Sequence, residues 1–147
     1  MEVNPNNPVV KLCSEGLAAE MAGKVAEALD LYTRAWDARK DDYDACIAAH
    51  YVARLQKTPE DALRWNRQSL NAAKSVGEER VGGFYPSLYL NMGKSHEDLG
   101  NFDEARRYYR LAEAKLGVLG EGPYADTVRK GVTSALMRVA GNGSGPG

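Results

Sequence analysis

A chain of 147 residues, 44% hydrophobic and 27% charged, is long enough for one domain with a buried core and too apolar to stay disordered. Nineteen basic and twenty acidic side chains give a net charge of −1, so no excess of positive charge exists to release counterions from DNA or RNA, and no nucleic-acid partner is expected unless a local basic patch forms. The opening Met-Glu-Val-Asn-Pro-Asn-Asn-Pro holds no basic or apolar leader stretch, and no apolar run reaches the ~18 residues that cross a bilayer, so a soluble, cytoplasmic chain with no membrane partner is expected.

In chain order, Asn7-Pro8 reads as an N-cap followed by proline at the first helical position, opening a helix to about Ala22. Gly23 breaks the chain, and a second helix from about Lys24 to Lys40 places Ala28, Leu31, Tyr32 and Ala35 on one face. A third spans about Asp42 to Gln56. Thr58-Pro59-Glu60-Asp61 supplies an N-cap, a proline and early acidic residues, and so starts a fourth helix. The stretch 77–86 is the least regular, because Pro86 would disrupt a continuous helix near Gly82; a kinked extension of the next helix or a separate turn is expected there. That next helix ends at Leu99-Gly100. Asn101-Phe102-Asp103-Glu104 reads as a capping box for a helix running to about Leu116, and Pro123 starts a last helix that stops at Ala140-Gly141. Period-2 alternation with turn signals is nowhere sustained, so no sheet is expected. Residues 141–147 read as a flexible glycine-rich tail, whose glycines follow no strand and precede no helix and so make no phosphate loop.

A repeat underlies these helices. Gly16, Gly23, Ala28, Tyr32 and Ala35 fall at intervals of 7, 5, 4 and 3, and Gly93, Gly100, Ala105, Tyr109 and Ala112 fall at the same intervals. A weaker copy in phase runs through His50, Lys57, Ala62, Asn66 and Ser69. The pattern resembles the tetratricopeptide repeat, a helix-turn-helix unit of about 34 residues. The resemblance implies a right-handed all-α solenoid of three such pairs plus a C-terminal capping helix. It sets repeats at about 9–42, 43–76 and 86–119, an insertion at 77–85, and the cap at 123–140, in a single domain over 1–140. Ala28 to Ala62 is 34 residues and Ala62 to Ala105 is 43, so nine extra residues lie between the second and third repeats. In the second repeat either His50 holds the small-residue position, or the register shifts by one and Ala49 holds it.

Chemistry is sparse. Cys13 and Cys46 match no zinc or redox spacing and read as reduced, buried thiols. His50 and His96 have no second ligand at i+3 or i+4, and His96-Glu97-Asp98 are adjacent helical residues that do not face one another. No nucleophile elbow or isolated carboxylate pair appears, so no catalysis, cofactor or metal is expected. The arginines Arg34, Arg64, Arg67, Arg106, Arg107 and Arg110 are interleaved with acids and read as solvated outer faces.

The family resemblance implies a concave groove lined by first helices that holds a peptide or partner helix. Its groove positions fall on Cys13, Leu17, Glu20 and Met21; on Asp44, Ile47, Tyr51 and Arg54; on Ser87, Leu90, Asn91, Lys94 and Glu97; and on Val128 and Val132. The family's clamp for terminal carboxylates needs lysine and asparagine on the first repeat and lysine and arginine on the third. This chain has Cys13, Leu17, Ser87 and Asn91 there, which disfavours chaperone-tail binding. The expected function is a protein-interaction module that takes an amphipathic helix or hydrophobic segment. The alternative is a self-associating scaffold that uses the groove or the last helix as an oligomer interface. Phe84 and Tyr85 either plug the joint between repeats two and three or shape a binding surface.

Overall fold

A computed structural model describes residues 4–141, and among these no strand forms. The helices are α1 (Pro8–Met21), α2 (Val25–Asp37), α3 (Asp42–Ala53), α4 (Pro59–Val76), the short α5 (Glu78–Val81), α6 (Tyr85–Asp98), α7 (Phe102–Ala114) and α8 (Pro123–Ala140), with 3-10 turns at Gly82–Phe84 and Leu116–Val118. The chain separates into two compact units at Val81 and Gly82, within the stretch that breaks the repeat spacing. In the first unit α1 packs on α2 and α3 on α4, with α3 also lying against α1 and α2. In the second, α6 packs on α7 and α8 lies against both. The tail residues 142–147 lie outside the described residues.

The helix pairs follow from a few residues. Asn7 accepts a hydrogen bond from the Val9 N–H at 2.8 Å, and its side-chain amide donates to Asp44 Oδ1 at 2.8 Å, which ties the start of α1 to the start of α3. Asp41 caps α3 through the Asp44 N–H at 2.8 Å, and Thr58 caps α4 through the Asp61 N–H at 3.1 Å. Helices α1 and α6 end in the same turn. Gly23 and Gly100 both take φ +80, and the next residue's N–H returns to a carbonyl five residues back, Lys24 to Ala19 at 2.9 Å and Asn101 to His96 at 2.8 Å. This is the left-handed glycine stop, open to glycine because a Cβ would strain that backbone.

The other two repeat glycines serve close packing. A Cβ on Gly16 would lie 2.4 Å from Cε1 of Tyr32, and a Cβ on Gly93 would lie 2.4 Å from Cε1 of Tyr109, so each glycine is a seat for the ring of the following helix. Both tyrosines are fully buried, as are Ala28, Ala35, Ala105 and Ala112. In the second repeat the tyrosine position holds Asn66 and no seat is needed. There Ala49 is fully buried and His50 only partly so, which selects the shifted register. Ser69, buried opposite, donates to the Cys46 carbonyl at 2.7 Å.

Two expectations are corrected and one open alternative is resolved. Asn101 makes no side-chain cap, so the capping box does not form. Helices α2, α3 and α7 stop at Asp37, Ala53 and Ala114, two to three residues short of the ends the pattern suggests. Of the two forms open for 77–86, the separate turn occurs: Gly77 at φ +101 ends α4, α5 and a 3-10 turn follow, and Pro86 sits in the first turn of α6, where no i−4 partner is lost.

Candidate functional site

The residues expected to line a groove divide into three groups. The first group is buried. Cys13, Asp44, Ile47, Val128 and Val132 belong to the interior, and Leu90 packs into the α7–α8 core. Asp44 faces inward because its two carboxylate oxygens accept from Asn7 at 2.8 Å and from the Lys40 N–H at 3.0 Å. Burial pushes the Cys13 thiol up to about 12 and the Cys46 thiol up to about 11, so both are poor nucleophiles.

The second group is charged and paired. Arg54 donates from Nε and Nη2 to Glu20 at 3.1 and 2.7 Å, and the Tyr32 hydroxyl donates to the same carboxylate at 2.8 Å. The second unit repeats this arrangement. Arg138 donates from Nε and Nη2 to Glu97, both at 3.1 Å, and the Tyr109 hydroxyl donates to Glu97 at 2.6 Å. Each cluster takes its carboxylate from a first helix, its hydroxyl from the second helix of that pair, and its guanidinium from the helix that follows. The Arg54 hydrogen bond holds the Glu20 carboxyl below its ordinary range. At Glu97, burial pulls upward but the bonds from Arg138 and Tyr109 outweigh it, so that carboxyl is lowered as well. Burial and then the facing carboxylates raise both tyrosine hydroxyls. Lys94 is joined to Asp98 at 2.6 Å on the surface of α6.

The third group is displayed. Met21 is 69% exposed on α1, and Leu17, one turn earlier on the same helix, is half-buried. Tyr51 on α3 is half-buried, its ring 5.2 Å from that of Tyr32, with the His50 ring edge-on to it at 5.2 Å. Leu17 stands three residues before Glu20 and Tyr51 three before Arg54, so the Glu20–Arg54 bond brings those two helix faces together. Burial and the Arg54 charge push the His50 imidazole down to about 4, so it is neutral near pH 7. In the second unit Ser87 shares a 2.5 Å hydrogen bond with the Tyr124 hydroxyl, and Asn91 is half-buried.

Among the described residues no three His, Cys, Asp or Glu side chains gather where a metal could bind, and no helix is long and apolar enough to cross a membrane. His96 is buried and stacked on Tyr108 at 5.5 Å with the rings 7° from parallel. Tyr85 is buried beside Tyr89 at 5.5 Å, and Phe84 is half-buried. An open recess of about 400 Å³ on α7 is lined by Asp103, Arg106, Arg107, Arg110 and Leu111. Two of its three arginines hold neighbouring carboxylates, Arg106 to Asp103 at 3.1 Å and Arg107 to Glu104 at 2.9 Å.

The chain is similar to a solved structure, the Sgt2 TPR domain from Aspergillus fumigatus, with a TM-score of 0.59 and 21% identity over 97% of this chain and 87% of that one. This is the tetratricopeptide fold. No family model matches the chain, and neither does any curated protein. At that identity the likeness fixes the fold and leaves the partner open. The two tyrosine–glutamate–arginine clusters were not read from the sequence of these tetratricopeptide pairs. A signal was present: Glu20 and Glu97 both lie four residues after the seat glycine and twelve before the seated tyrosine. Their arginines follow at 34 and 41 residues, too irregular a spacing for a local pattern to reveal.

Proposed function

We propose that the chain is a non-catalytic protein-interaction module whose first-helix face, centred on Leu17, Met21 and Tyr51, takes an amphipathic helix or hydrophobic segment of a protein partner. The observation that carries this reading is the contrast at the centre of that face: apolar side chains are displayed beside a Glu20–Arg54 pair whose charges are spent on each other. Met21 is 69% exposed, whereas Arg54 already holds the Glu20 carboxylate. A segment that recognises this surface gains by covering apolar area, and a terminal carboxylate would have to displace an internal one. Methionine suits the role, since its unbranched, polarisable side chain adapts to different apolar partners. The tetratricopeptide fold agrees with the reading, because helical-repeat surfaces serve mainly to hold other chains.

The test is capture of partners from source-cell lysate by wild type and by Met21→Glu. That substitution places a charge at an exposed site and leaves the Tyr32–Tyr51 contact intact. Loss of specific captured proteins with unchanged helicity supports the reading; identical captured sets would remove this face as the working surface. The second reading is self-association through the same face, favoured by the same exposed methionine. Light scattering that shows one concentration-independent monomer mass would dismiss it.

A further inference from the structure

We propose that the Glu97–Arg138–Tyr109 cluster is a latch that holds α8 on the α6–α7 pair, and that α8 opens as a unit while the pair beneath it stays folded. The apolar hold on α8 is thin. Its buried side chains are Ala125, Val128, Val132, Ala135 and Val139, none larger than valine, and Leu136 packs half-buried on the same core, while Tyr124 and Met137 are 52% and 73% exposed. Polar bonds supply much of the rest. Besides the latch itself, Arg106 donates to the Val139 carbonyl at 3.1 Å and Ser87 meets Tyr124 at 2.5 Å. A helix held by few large apolar contacts and by polar bonds at both of its ends belongs to the low-stability part of a fold.

The first unit supplies the internal control. The same cluster of Glu20, Tyr32 and Arg54 joins α3 to the α1–α2 pair. Helix α3 is also covered from its other side by α4, so Cys46, Ala49, Val52 and Ala53 are all buried. Counting from Arg138 as from Arg54, the matching positions on α8 are Lys130, Thr133, Leu136 and Met137. Three of these are exposed and Leu136 is half-buried. One cluster therefore fastens a helix that is also covered from behind, and the other fastens a helix whose back is open. The connector into α8 carries Gly117, Gly120 and Gly122, the last at φ +131, and so offers the hinge. Opening uncovers a strip of Leu90, Ala105, Tyr109 and Ala112, with Glu97 at its edge.

Hydrogen exchange on the intact chain, read by mass spectrometry, tests this. Arg138→Gln removes the guanidinium, and Tyr109→Phe keeps the ring in its glycine seat while removing only the hydroxyl. The expected result is α8 amides exchanging roughly tenfold or more faster in Arg138→Gln, the scale of a lost charge-assisted bond, and several-fold faster in Tyr109→Phe, with α6 and α7 unchanged. The matched changes Arg54→Gln and Tyr32→Phe are expected to leave α3 exchanging no faster than the rest of its unit. The proposal is overturned if α8 and α7 amides exchange together in every variant, or if α8 is indifferent to both substitutions.

Discussion

Gly16 and Gly93 each stand where a single methyl group would meet an aromatic ring at 2.4 Å. Gly16→Ala and Gly93→Ala should each destabilise their unit by about 1–3 kcal/mol, the usual cost of overpacking, measured by urea denaturation. Gly117→Ala is the control: nothing lies within 4 Å of its added Cβ, and little change is expected. Titration gives a second residue-level prediction. The His50 imidazole is lowered from 6.5 to about 4, so between those values the unfolded chain binds a proton that the folded chain refuses. Stability should therefore fall as pH drops through that window, and His50→Gln should flatten the fall. The lowered Glu20 and Glu97 carboxyls contribute stability that is present above their ordinary value of 4.5 and is lost as pH falls further. A double change, Glu20→Gln with Glu97→Gln, should flatten only this lower, more acidic limb of the curve of unfolding midpoint against pH.

At the scale of the element, two helix starts that look alike in sequence differ in mechanism. Thr58 caps α4 with its hydroxyl, so Thr58→Ala should cost about 1 kcal/mol in urea unfolding. Asn101 follows a left-handed glycine and arrives at φ −88, ψ 71, almost the backbone of Lys24 before α2 at φ −91, ψ 69, and neither side chain caps. Asn101→Ala should therefore cost little. The contrast shows what the sequence could reveal. Helix starts at Asn7, Thr58 and Pro123, the glycine stops, and the glycine–tyrosine spacing are local signals, read within one or two turns of chain. The absence of a cap at Asn101 depends on the turn that delivers the backbone, which residue identity alone does not state. The inward placement of Asp44 and Ile47 depends on α3 being flanked by α1, α2 and α4, and the Glu20–Arg54 and Glu97–Arg138 bonds join helices far apart in the chain. Such contacts leave no periodic trace.

For the molecule as a whole, the proposed function is recognition through apolar surface. The likeness to the Sgt2 TPR domain fixes the helix pairs and not the ligand. The proposed partner surface therefore rests on this chain's own residues: Met21 displayed, Leu17 and Tyr51 half-displayed, and Arg54 and Glu20 occupied with each other. Binding that works by covering apolar area should change little between low and moderate salt, since screening acts on charges and not on apolar contact. The most direct test places a photo-crosslinking side chain at position 21 on the first-helix face or at position 67 on the exposed side of α4, and irradiates each in source-cell lysate. The account predicts a discrete crosslinked partner, distinct from a second copy of this chain, from position 21 and none from position 67. Equal products from both positions, or products from position 67 alone, would contradict it.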